Sequence, residues 1–218
     1  MKVNKLIAIN TLIIGLSICS YAQAEKLAVG ITPELPSVTV KHNGKPVTIM
    51  RNQDTNNTVN PAFAKTSRNC PPFCIQPSTL APGVETIAET EVLHYLKAMS
   101  DGDDSILVID SRTPDWAEKG TIPGAINLPW TKLNPAKGAD PLSIADIMTG
   151  KFGVKEMEGL WDFSNAKTLV MFCNGMWCGQ SPNNILNLLK FGYPANKIKW
   201  YRGGMQDWEI LGLTTVKS

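Results

Sequence analysis

Histidine is almost missing from this chain of 218 residues, which has only His42 and His94. One stands beside a turn signal and the other inside a helical pattern. Neither has the spacing of a zinc ligand set or of a cysteine–histidine hydrolase, and both read as ordinary surface residues. Net charge is nearly missing as well. The formal value is +2, and once Lys2 and Lys5 are set aside (21 − 2 = 19) the remainder has 19 basic against 19 acidic residues. The absence of a basic tract argues against nucleic acid or an anionic membrane surface as partner. Beyond residue 24 no apolar run is long enough to span a bilayer, and there is no internal repeat or low-complexity tract. Cysteine is sparse, at five residues, and a chain of this length can fold on its own core without cross-links.

The longest apolar run, Leu6 to Ile18, follows Lys2 and Lys5 and precedes Ala22-Gln23-Ala24. That is the pattern of a secretory signal peptide cleaved after Ala24, which predicts a periplasmic or secreted protein. Cys19 is preceded by Ile18 rather than by a small residue, which argues against lipid attachment. An exported chain retains Cys70, Cys74, Cys173 and Cys178, and its compartment permits disulfides.

Residues 25–83 differ in texture from the rest. Two β-type runs flank Asn43-Gly44, a strong hairpin signal. Asn69-Cys70-Pro-Pro-Phe-Cys74-Ile-Gln-Pro77 then sets prolines around a Cys-x-x-x-Cys, so this stretch is extended or turned. Cys70 and Cys74 read as a structural pair, bridged to each other or elsewhere. From Val84 helix and strand signals alternate: a helix over Glu85 to Met99, a strand over Ile106 to Ile109, and a turn at Thr121 to Pro129 leading into a strand. That order predicts an α/β domain over 84–218, a parallel sheet with helices on both faces, preceded by a small β-hairpin extension.

The richest stretch is Thr168-Leu-Val-Met-Phe-Cys173-Asn-Gly-Met-Trp-Cys178-Gly-Gln-Ser181-Pro182. Thr168 to Phe172 is a short apolar run of the kind buried on both faces of a parallel sheet. Ser181-Pro182 reads as an N-cap and first helical residue, and Ile185, Leu186, Leu188 and Leu189 as the apolar stripe of the helix. Cys173 therefore ends a strand in front of a helix N-terminus, where free N–H groups and the helix dipole favour a thiolate and hold an anion. Three roles stay open for Cys178: resolving a modified Cys173, forming a permanent bridge, or acting as the nucleophile itself. Trp177 reads as a lid over the sulfur or a partner contact, and Asp110 and Arg112 as a pair that fixes the loop after a central strand. Arg202, ahead of Gly203-Gly204, is the best remaining cation for an anionic substrate.

Four segments in order, Leu107-Val-Ile-Asp110-Ser-Arg112, Gly120 to Pro129, Leu169 to Cys173 and Arg202-Gly-Gly-Met-Gln-Asp-Trp208, resemble the landmarks of a rhodanese domain over residues 84–214. The resemblance implies a sulfurtransferase that carries sulfane sulfur as a persulfide on Cys173, with loop residues Asn174, Gly175, Met176, Trp177, Gly179, Gln180 and Ser181 holding it. It implies no metal or organic cofactor. Its partners would be a small sulfur donor and a thiol or cyanide-like acceptor, and a periplasmic redox protein is a further candidate. Cys178 stands where the family's loop often has an arginine, which predicts that thiosulfate is a poor donor. Thr121 replaces the histidine usual in the Gly-His-Ile-Pro-Gly-Ala turn. The longer loop resembles a minority of rhodanese-like proteins, including periplasmic ones associated with quinoprotein-dependent catabolism. The alternatives are a thiol–disulfide redox protein using Cys173 and Cys178, or a non-catalytic rhodanese module that binds a redox partner.

Overall fold

The computed structural model describes residues 27–217. The leader, Cys19 and the cleavage point after Ala24 lie outside the described residues. The chain opens with a hairpin, β1 (Ser37–His42) and β2 (Lys45–Met50), antiparallel from Ser37↔Met50 to His42↔Lys45. Asn43 and Gly44 make its two-residue turn at φ 50° and 75°, the left-handed conformations that an Asn-Gly pair tolerates.

The domain that follows runs β3 (Glu85–Ile87), α1 (Glu89–Asp101), β4 (Ile106–Asp110), α2 (Pro114–Ala117), β5 (Ile126–Asn127), α3 (Pro141–Gly150), β6 (Lys155–Met157), β7 (Leu160–Asp162), β8 (Thr168–Phe172), α4 (Gln180–Lys190), β9 (Ile198–Tyr201) and α5 (Gly204–Ile210). Five strands form one parallel sheet in the order β3-β9-β8-β4-β5, and β6 and β7 form a separate small hairpin. The helix expected from Glu85 therefore starts later. Glu85 to Ile87 is an edge strand beside β9, because β-branched Thr86 and Ile87 pair there and Ile87 enters the core.

Period-two alternation along β8 supplies both faces of the core. Val170 and Phe172 point to a layer with α1, α5 and the hairpin, whereas Leu169 and Met171 point to α3 and α4. In α4, Ile185 and Leu188 are buried while Leu186 faces outward, so the apolar stripe is narrower than the sequence run suggests. The hairpin is no loose appendage: Val38, Val40 and Ile49 are buried in the α1/α5 layer. Nor is His42 a plain surface residue. Its Nδ1 accepts the Gly124 N–H at 3.1 Å and ties the hairpin to the turn before β5, while His94 is exposed. Asn52 N–H bonds the Gly212 carbonyl at 2.7 Å, joining the extension to the C-terminal end as well. Among the described residues no helix is long and apolar enough to cross a membrane.

Candidate active site

The sheet order places the site. From β4 the chain proceeds to β5 on one side, and from β8 it proceeds to β9 on the other. The loops leaving these two neighbouring strands diverge and open a crevice at their carboxyl ends, the usual ligand position in a parallel α/β sheet. Cys173 is the first residue past β8, at that end of the sheet.

The Cys173 loop rests on the start of α5. Met205 N–H bonds the Cys173 carbonyl at 3.0 Å and Gln206 N–H the Asn174 carbonyl at 2.9 Å. Gly204 has φ 57°, and a side chain there would collide with the Cys173 carbonyl oxygen, so this close approach requires glycine. This is a physical reason for the Gly203-Gly204 pair.

The N-cap expected at Ser181 is corrected. Gly179 holds the cap position and α4 starts at Gln180, which leaves Ser181 inside the first turn and fully buried. Its hydroxyl is thereby free of capping. It donates to Cys173 Sγ at 3.1 Å and accepts from Trp200 Nε1 at 3.2 Å.

Cys173 and Cys178 are both free and buried, at 2% and 4% exposure. Burial alone pushes the Cys173 pKa up. Hydrogen bonds from the Cys178 thiol, from the Ser181 hydroxyl and N–H, and from the Gly175 N–H outweigh it and bring the pKa from 9.0 down to about 7. Cys178 moves the other way, since donating to Cys173, burial and the Cys173 charge all hold it protonated. Above neutral pH the pair thus carries one negative charge, on Cys173, while Cys178 stays protonated. Alkylation of Cys173 by a small electrophile is therefore expected to rise through a midpoint near pH 7. Ser181→Ala should raise that midpoint by roughly one unit, the loss of one hydrogen bond to a charged acceptor. A wild-type midpoint at the ordinary thiol value, read by mass spectrometry of the alkylated peptide, contradicts this account.

Asp110 and Arg112 form a buried pair behind the loop, each 1% exposed. Arg112 Nη2 meets Asp110 Oδ2 at 2.6 Å and its Nε meets Oδ1 at 2.9 Å. Thr121 Oγ1 donates to the same carboxylate at 2.8 Å, so the residue standing in for the family's histidine joins this network. Arg112 Nη1 reaches Asn174 Oδ1 at 3.4 Å, connecting the pair to the cysteine loop.

In front of the loop lies a cleft of about 510 Å³. Of the loop residues singled out by sequence, Asn174, Trp177, Cys178, Gly179 and Gln180 line it. Gly175 and Ser181 face the sulfur instead, and Cys173 itself sits behind the wall that Cys178 presents. Met176 is not among the lining residues, and its carbonyl accepts the Gln76 N–H at 2.8 Å. Arg202, singled out by sequence as a substrate cation, is not among the residues that line this cleft. Its guanidinium donates to the carbonyls of Gln76 at 2.9 Å and Pro77 at 3.0 Å, so it clamps the extension to the domain and does not line the cleft.

That clamped segment closes the site. Cys70 and Cys74 have the geometry of a disulfide, Cα–Cα 4.6 Å, and the loop between them sets Phe73 edge-on to Trp177 at 5.7 Å. Arg68 lies over the Trp177 ring at 3.8 Å. Sequence reasoning missed Arg68, Phe73, Trp116, Trp130 and Lys137 as cleft residues. The signal for Trp116 and Trp130 was present, because they follow β4 and β5 at the same sheet edge as Cys173. Arg68 and Phe73 carried no such signal, since only the packing of the extension brings them there.

The rhodanese-like domain model matches residues 92–211, more than half of the chain, and the chain belongs to this family. Similar solved structures include the human single-domain sulfurtransferase TSTD1, at 21% identity over 57% of this chain and 95% of that one, with a TM-score of 0.37. Another is SseA from Escherichia coli, described as a 3-mercaptopyruvate sulfotransferase, at 22% identity over 57% of this chain and 43% of that one, TM-score 0.38. A third is a possible tyrosine phosphatase from Rhodopseudomonas palustris, at 17% identity over 59% and 82%, TM-score 0.37. No curated protein matches the chain. The hairpin, the Cys70–Cys74 loop and β3 all precede the matched span.

Proposed function

We propose that this protein is an exported sulfurtransferase that carries sulfane sulfur as a persulfide on Cys173. The observation that carries the reading is the convergence of the Ser181 hydroxyl, at 3.1 Å, and the Ser181 and Gly175 N–H groups on one buried sulfur whose pKa lies below that of an ordinary thiol. In the first half-reaction the Cys173 thiolate attacks the outer sulfur of a donor R–S–SH. The new Cys173–S–SH bond forms as the donor's own S–S bond breaks, and the electron pair leaves on R–S⁻. In the second, an acceptor thiolate R′–S⁻ attacks the outer sulfur, Cys173–S⁻ departs with the pair, and R′–S–SH leaves. With cyanide or sulfite as acceptor the outer proton goes to solvent. The loop N–H groups stabilise the sulfur anion in both halves, and neither step calls on a metal or organic cofactor.

Incubation with a sulfane donor should add about 32 Da, one sulfur atom, to the peptide that contains Cys173, and an acceptor should remove it. A reversible loss of two protons with no sulfur gain supports the second reading instead, a thiol–disulfide redox cycle. That reading is favoured by two free, buried cysteines on one loop, with Cys173 Sγ 3.3 Å from the Cys178 carbonyl oxygen. For the exported location, N-terminal sequencing of the mature protein should begin at Glu25, and a lipid-modified Cys19 at that terminus contradicts it.

A further inference from the structure

We propose that the cleft beside Cys178 selects an anionic organosulfur compound with a planar aromatic body, and that Arg68 and Phe73, which precede the rhodanese match, determine this specificity. The sulfur step rests on the transfer reading above; the binding preference does not. A cleft of about 510 Å³ falls in the range that holds a drug-sized ligand, roughly 300–1,000 Å³, and is far larger than an inorganic thiosulfate or cyanide ion requires. Its wall has four aromatic side chains, Phe73, Trp116, Trp130 and Trp177. Such rings favour a flat apolar guest by stacked or edge-on contact.

Charge defines the rest of the ligand. Arg68 and Lys137 line the cleft and no carboxylate does. The Arg68 guanidinium is held over Trp177 at 3.8 Å, and its buried Nε has no hydrogen-bond partner among the described residues. Among the described residues Arg68 forms no salt bridge, so its guanidinium charge is available to an anionic group on the ligand. Lys137 stands over the Trp130 ring at 5.8 Å, a second cation paired with a second ring. Cations posed on aromatic faces suit an aromatic anion, because ring and charge are then recognised side by side.

An aromatic thiosulfonate has the right chemistry as a probe. The Cys173 thiolate attacks its terminal sulfur, Cys173–S–S⁻ forms, the S–S bond to the sulfonyl sulfur breaks, and the electron pair leaves on the sulfinate. No oxidant or further reactant enters.

The deciding experiment is calorimetric titration of the full mature protein with two inert anions, benzenesulfonate and methanesulfonate. They share a head group and a charge and differ in the ring. Burial of the ring predicts at least about a tenfold tighter fit for benzenesulfonate. Phe73→Ala should cut that preference about three- to tenfold, while Arg68→Gln should weaken both anions and leave their ratio unchanged. Phe73 is 43% exposed, so its truncation leaves the core intact. Equal affinity for the two anions, or a preference indifferent to Phe73, overturns the proposal. Sulfur loading from benzenethiosulfonate and methanethiosulfonate, followed by mass, separates the two readings. A ring preference in binding with no sulfur on Cys173 sinks the transferase reading and leaves the cleft assignment standing. Loading without any ring preference in binding does the reverse.

Discussion

Cys173→Ser is expected to reduce persulfide loading to background, while Cys178→Ser retains a substantial part of it. Serine at 173 keeps the shape but lacks a group that ionises near neutral pH or forms an S–S bond, so no donor can transfer to it. At 178 the requirement is different. The thiol there, which rests 3.7 Å from Gln180 Oε1, is held protonated beside Cys173 and acts as a donor that lowers the Cys173 pKa once that sulfur ionises. A serine hydroxyl preserves that donation, whereas Cys178→Ala removes it and should raise the Cys173 pKa, slowing loading at neutral pH and restoring it at alkaline pH. Mass measurement of the loaded protein across pH distinguishes the variants. If Cys178→Ser abolishes loading and Cys173→Ser does not, the nucleophile is Cys178, the thiol that faces the cleft. Loss in both single variants, together with an intraloop disulfide in the wild type, points to the redox cycle.

Arg112→Met is expected to be among the most destabilising single substitutions in the domain. Asp110 and Arg112 are each 1% exposed, and the Asp110 carboxylate also accepts the Arg112 N–H and the Thr121 hydroxyl. Removing the guanidinium leaves a carboxylate buried beneath the sheet edge with its charge uncompensated. Breaking a buried pair in this way costs about 3–5 kcal/mol. For a domain of this size that corresponds to a fall in melting temperature of roughly 10 °C. The Gly120 carbonyl, which accepts from Arg112 Nη2 at 2.6 Å, and the 3.4 Å link to Asn174 are lost with it, so the cysteine loop should loosen too. Asp110→Leu combined with Arg112→Met removes both charges and should recover much of the loss, since two apolar groups replace a pair whose desolvation is itself costly. Thermal unfolding of the two variants tests this; a single variant as stable as the wild type means that the pair is not the anchor described.

Local patterns explain why so much of the fold was legible. The continuous apolar β8 run, the Asn43-Gly44 turn and the apolar face of α1 are written in neighbouring residues, and short-range sterics and burial suffice to read them. Where the reading slipped, a distant partner had prevailed over local preference. Glu85 to Ile87 has helical neighbours in sequence, but β9, more than a hundred residues on, offers it an open sheet edge. Ser181-Pro182 has the composition of a helix start, yet the first α4 hydrogen bond, Asn183 N–H to the Gly179 carbonyl at 3.0 Å, begins earlier and releases the serine to the thiol.

Local sequence was enough to place one residue: a cysteine that ends a buried strand ahead of a helix, inside an ordered set of family landmarks. Strand, loop and helix are contiguous there, so no long-range information was needed to place the sulfur at a helix N-terminus. Tertiary structure alone decided what surrounds it. Arg202 had the position of a substrate cation but is bound to the carbonyls of Gln76 and Pro77. Arg68 and Phe73, from a segment that gave no sign of belonging to a site, stand in the cleft. These outcomes depend on which backbone carbonyls and aromatic faces meet once the sheet is assembled. Side chains a hundred residues or more from Cys173 settle there by packing, on which local sequence pattern is silent.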